Sequence, residues 1–189
     1  MKKLLFLLPL LLMVGCSKEP INYEETLNVN NGVFYTKDTN KPYTGPVFTI
    51  HNPEQYSSEG ELVDGKKSGF WTYWDVNGSL KMKNKYLNGI FDGPMTYWRE
   101  SGEVLVECYN KNGNLEGPLT LYNKNGNPAF EFNYKNGHLE GTFLEYYKNG
   151  QKNKKGILKN GNYDGTLMEW DENGNKRLEM NFDDGNLDG

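Results

Sequence analysis

The side chains in this sequence best suited to hold a ligand are aromatic. Trp71, Tyr73, Trp74, Tyr97, Trp98, Tyr122, Tyr146 and Trp170 recur at regular distances along the chain. Regularly spaced rings suit sugar stacking and peptide docking, because each offers a flat apolar face, and Tyr and Trp add a polar handle. The same rings would also serve as a structural ladder, and the sequence leaves both roles open. Trp71, Trp74 and Trp98 lie close together, and Trp is among the residues most enriched where interfaces concentrate their binding energy.

Other reactive side chains offer less. The histidines are His51 and His138, and no Gly-x-Ser-x-Gly elbow, His-Glu-x-x-His pair or reactive-Cys signature occurs. Glu116, Glu140 and Asp164 occupy equivalent positions 24 residues apart, which marks a repeated solvated turn and not a unique acid–base pair. Asp171-Glu172-Asn173-Gly174-Asn175 opens like a calcium loop. Its sixth position is Lys176 and its twelfth Phe182, where an EF-hand needs Gly and Glu. The expectation is a non-enzyme with no cofactor and no metal.

The elements that would position the rings follow from the glycines. Gly45, Gly69, Gly93, Gly117, Gly141, Gly165 and Gly189 step by 24 residues, and Gly65, Gly89, Gly113, Gly137, Gly161 and Gly185 keep the same step. Such register means that one supersecondary unit has been copied head to tail. Within the regular copies, the second residue after the anchor glycine is Trp71, Met95, Leu119, Phe143 and Leu167. The fifth is Trp74, Trp98, Tyr122, Tyr146 and Trp170. Nine Asn-Gly pairs punctuate the chain; both residues tolerate positive φ, as tight hairpin turns require. Short runs rich in aromatic and β-branched residues between such turns read as strands, and no sustained helical spacing follows the N-terminus.

Each copy therefore reads as one antiparallel hairpin. The expected fold is all-β, an elongated single-layer antiparallel sheet of repeated 24-residue β-hairpins, twisted or curled. Roughly twelve strands at ~4.8 Å make it on the order of 55 Å long. Offsets two and five fall on opposite faces of a regular strand, yet both are apolar. Either both faces are partly covered or a bulge brings them together. The copy at Gly45 places its internal glycine at Gly60, which predicts a longer first loop and a shorter second strand there. Gly32–Thr36 and Pro42–Gly45 read as a capping hairpin.

The N-terminus follows a different logic. Lys2 and Lys3 precede an apolar run from Leu4 to Val14, the length of a signal-peptide core and too short to span a bilayer. Leu12-Met13-Val14-Gly15-Cys16-Ser17 resembles the lipobox of bacterial lipoproteins, and the resemblance implies cleavage before Cys16 and lipidation of its side chain. The expected organisation is a signal peptide over 1–15, then lipidated Cys16 and a polar tether over 16–30. A repeat domain over 31–189 follows, with divergent capping units at 31–68 and regular repeats at 69–188. Loss of Lys2 and Lys3 moves the net charge from −4 to −6, which argues against nucleic acid as a partner. Cys108 is then unpaired, so no disulfide is expected, and it reads as a buried inert thiol.

Gly69-Phe70-Trp71-Thr72-Tyr73-Trp74-Asp75-Val76-Asn77-Gly78, the stretch Gly141–Gly150 and the lead-in Thr36–Gly45 resemble the MORN-repeat-variant family of bacteria, over roughly residues 33–189. The resemblance implies a repeat sheet acting in protein interaction or at membranes, and members are often labelled antitoxin components. Choline- and glucan-binding repeats of surface proteins are similar in using aromatic–glycine hairpins. The sequence therefore predicts a lipid-anchored bacterial envelope protein acting as a non-enzymatic interaction scaffold, anchored to the membrane through its N-terminal lipid. A protein partner is expected first; a cell-surface glycan, or an antitoxin-like block of a partner, is the alternative. The candidate binding residues are Trp71, Trp74, Tyr97, Trp98, Tyr122, Tyr146 and Trp170.

Overall fold

A computed structural model describes residues 18–52 and 55–188. The expected signal segment and Cys16 lie outside the described residues. Among the described residues no helix is long and apolar enough to cross a membrane. Among the described residues the fold is all-β apart from one short helix: a long open sheet, in which strands from Gly45 to Leu187 pair in chain order, is accompanied by one two-stranded sheet.

Two kinds of turn make this meander. Asn88-Gly89, Asn112-Gly113, Asn136-Gly137 and Asn160-Gly161 have positive φ at both residues, the two-residue turn whose twist matches that of the strands. At Asn77-Gly78, Asn125-Gly126, Asn149-Gly150 and Asn173-Gly174 only the glycine is left-handed. There the turn is wider: Gly78 N–H donates to the Asp75 carbonyl at 3.0 Å, and Asp75 N–H to the Ser79 carbonyl at 3.0 Å. Wide and narrow turns alternate, so they collect at opposite edges of the meander.

Two bulges per copy settle the facing. Opposite Asn84 and Tyr86, the next strand runs from Met95 back to Phe91 with two extra residues. Gly93 lies in that insertion with φ 130°, a conformation that L side chains resist. An even insertion keeps Phe91 and Met95 on one face. The second bulge places Leu80 opposite Trp74 and Met82 opposite Tyr73, so the extra residue sits in the partner strand. Nothing interrupts the chain between Trp71 and Trp74. Offsets two and five therefore point to opposite faces, and both faces of the single layer carry rings.

The Trp71 face holds the core. The paired residues Trp71, Asn84, Met95, Cys108, Leu119 and Phe132 form one continuous row across neighbouring strands. Phe143, Gly156, Leu167 and Met180 carry the row onward. Trp71 is 0% exposed and packs with Leu27, Val47 and Leu62. Its indole lies over Gly60, where a Cβ would sit 2.3 Å from the ring, and Phe143 covers Gly156 in the same way at 2.5 Å. Rings thus fill the space above side-chain-free positions on the neighbouring strand.

Two expectations are corrected here. Gly60 is not a displaced turn glycine: it lies inside the nine-residue strand Gln55–Val63 and occupies the position equivalent to Gly156. The strand is accordingly long, not short. Residues 21–30, expected as tether, are folded. Ile21–Asn22 pairs in parallel with Val47 and Phe48, and Asn22 caps the helix Tyr23–Thr26. Leu27–Asn30 then pairs with Val33–Thr36. Tyr23 rests edge-on against Trp71, centroids 5.9 Å apart, and Leu27 is buried. The gain is apolar burial over a sheet end that would otherwise be bare.

Candidate functional site

The pairing order places Trp74, Trp98, Tyr122, Tyr146 and Trp170 in one row near the wide-turn edge of the Trp74 face. All five are half-buried. They recur on every second strand, a spacing of about 10 Å. Beside them runs a second row, Thr72, Lys83, Thr96, Glu107, Thr120 and Glu131, each paired with the next. Hydroxyls and charges therefore flank the rings. Tyr122 donates its hydroxyl proton to Glu107 at 2.7 Å, and that bond pushes the phenol above its usual range. A shallow recess of about 320 Å³ opens beside Trp170, lined also by Gln151, Lys152 and Gly174.

Links between copies stiffen this edge. Arg99 donates to the Tyr122 carbonyl at 2.5 Å, and Tyr147 to the Trp170 carbonyl at 2.7 Å. At the equivalent positions Asp75, Asn123 and Asp171 instead accept N–H bonds within their own turns. The calcium-like loop at Asp171 is one of these: bonds from the Asn175 and Asn173 amides hold its carboxyl below the ordinary carboxylate range.

Two of the sequence candidates behave differently. Trp71 is fully buried and cannot meet a partner, so it is core and not a contact residue; Tyr97 lies on the Trp71 face, paired with Met82 and Val106. Tyr73, partly buried, packs against the same cluster as Trp71.

That cluster contains a side chain the sequence did not flag. Lys67 Nζ lies 4.0 Å from the Trp71 ring centroid and 5.3 Å from those of Tyr73 and Tyr86. It donates to the Tyr73 hydroxyl at 2.9 Å. Burial pushes the Lys67 amine down to about 8, while the ring faces favour its charged form. The unfolded chain holds this proton to about 10.4. Between pH 8 and the onset of tyrosine ionisation this residue makes the unfolded state bind more protons, so its own contribution to stability rises with pH, while the raised Cys108 thiol opposes it over the same window. Thermal melts across that window should give Lys67→Met a lower slope of midpoint against pH than the unaltered chain. An unchanged slope in the variant would assign the effect elsewhere.

His51 sits near the wide-turn edge, its Nε2 3.2 Å from the Trp74 carbonyl oxygen; His138 lies beside the narrow turn at Asn136-Gly137. Glu116, Glu140 and Asp164 accept the backbone N–H of Asn136, Asn160 and Asp184, each 20 residues on. These carboxylates are caps between copies, a role the constant spacing to the next turn could have revealed. Burial pushes the Cys108 thiol up, which suits an inert side chain in the core row. No group of three metal-ligating side chains is found among the described residues.

A family model described as MORN repeat variant matches residues 115–136, 139–160 and 163–184. Each match runs from just after one narrow turn into the next, with the wide turn in its middle. No curated protein matches the chain.

Proposed function

We propose that this protein is a non-enzymatic interaction scaffold, tethered to a bacterial envelope membrane through lipid on Cys16, with the ring row of the Trp74 face as its recognition surface. One observation carries the reading: five half-buried rings repeat in register on one face, with hydroxyl and charged side chains alongside. The three MORN repeat variant matches agree, since such repeats commonly serve as interaction modules. A protein partner is the first expectation. The ring spacing favours a second reading, an extended glycan with one ring for every other sugar.

Trp74→Ala with Trp98→Ala in the full chain tests the surface. Loss of a partner captured from envelope extract, with the melting point unchanged, is the expected result. Retention of oligosaccharides in place of protein would select the glycan reading. A large fall in melting point with capture intact would show that the rings are structural. For the anchor, Cys16→Ala should leave an unprocessed chain without lipid label; equal labelling of the variant would end that part of the proposal.

A further inference from the structure

The Trp71 face changes character along the array. At its N-terminal end the chain covers it with its own helix Tyr23–Thr26 and hairpin. Beyond that cover the face continues through Tyr86, whose ring touches Trp71 at 6.1 Å on one side and Phe91 at 4.8 Å on the other. From Met82 to Leu139 the register places only uncharged side chains there, among them Met95, Tyr97, Val106, Leu121 and Phe130. Charge returns at Glu145 and at the Lys154–Glu169 pair, 2.8 Å apart. The opposite face of the same strands carries Lys83, Glu107 and Glu131. Two amides under the uncharged stretch, Asn84 Oδ1 and Asn110 Nδ2, lack a hydrogen-bond partner, so this face is not a finished apolar core.

From these features we infer that the uncharged stretch between Met82 and Leu139 is the seat of an amphipathic helix supplied by another protein. Its dimensions choose the occupant. Six strands and three rows of side chains give about 30 Å by 17 Å, or about 500 Å². A second copy laid face to face would bury well under the ~800 Å² per partner of a stable dimer. A helix of about twenty residues is 30 Å long and 10–12 Å wide, and fits across the strands with its apolar stripe down. It continues the cover that the helix Tyr23–Thr26 begins. The carboxylates of Asp92, Glu116 and Glu140 at the narrow-turn edge oppose an anionic lipid surface. This surface lies opposite the ring row, so its failure leaves that reading untouched.

The probe is a labelled twenty-residue amphipathic peptide with a leucine stripe and a neutral polar face, with a scrambled sequence as control. Full-chain protein should bind it in the micromolar range, and the scrambled peptide at least about tenfold more weakly. Leu121→Lys should weaken binding at least about tenfold, while Thr120→Lys, one residue away on the other face, should not. Val106→Thr, a gentler polar change on the same face, should weaken binding in the same direction should Leu121→Lys fail to fold. Equal binding of the two peptides, or equal loss with Thr120→Lys, overturns the inference. So does a solution dimer that Leu121→Lys dissolves, or binding of neutral phosphatidylcholine vesicles without binding of the peptide.

Discussion

Deleting residues 117–140 should leave a folded protein with a moderately lowered melting point, whereas deleting only 117–125 should disrupt the sheet. The longer deletion removes one whole hairpin. Glu116 then precedes Gly141, as Glu140 does now, and the strand Val104–Lys111 meets Gly141–Tyr146 in the register it now keeps with Asn114–Tyr122. Stability in a repeat array is close to a sum over copies and their interfaces, so the loss is one increment. The shorter deletion removes nine residues. An odd number turns every following side chain to the other face, putting Phe130, Phe132 and Phe143 where Glu131 and Thr142 now stand. It also strands the cap between Glu116 and Asn136. Circular dichroism melts with limited proteolysis would compare the two; a shorter deletion that proved the milder would mean the unit is wrongly drawn.

Trp71→Ala should cost ~3–5 kcal/mol, as expected for truncating a large buried ring, or about 10 °C in melting point for a chain of this size. The indole joins the N-terminal cover to the array: it touches Tyr23, Tyr73 and Tyr86 and donates to the Glu61 carbonyl at 3.2 Å. Gly60→Ala attacks the same contact from below. A Cβ there meets the ring at 2.3 Å, and the ring is enclosed on all sides, so overpacking should cost ~1–3 kcal/mol. The two changes share one space and should not be additive. Gly60→Ala combined with Trp71→Leu should be more stable than the sum of the single losses predicts. Strict additivity in chemical denaturation would show that the indole and Gly60 are energetically independent.

Much of this architecture was legible because glycine and asparagine speak locally. An Asn-Gly pair that needs positive φ at both residues declares its turn without reference to the rest of the fold, and a fixed step of 24 declares the copying. The facing of Trp71 and Trp74 was not legible, because the deciding bulge lies between Leu80 and Met82, in another strand. Gly60 misled because a glycine inside a strand looks like a turn until the ring above it is known. Residues 21–30 lack any apolar period, and they fold only because the sheet end gives Tyr23 and Leu27 a surface. The ring row itself was visible residue by residue. That Trp71 is excluded from it depends on burial that only the assembled sheet defines.

The carboxylate caps at Glu116, Glu140 and Asp164 have a consequence for ancestry. In each case the acceptor ends one copy and the amide it satisfies lies in the turn of the next, so a duplicated segment carries both halves of the joint with it. A coding sequence that gains or loses a 72-nucleotide block through unequal recombination should therefore yield a protein with sound joints at once, before any compensating substitution. Length in such a lineage can change in whole steps far more readily than by single residues, and reach along the sheet becomes a heritable quantity that is counted, not measured.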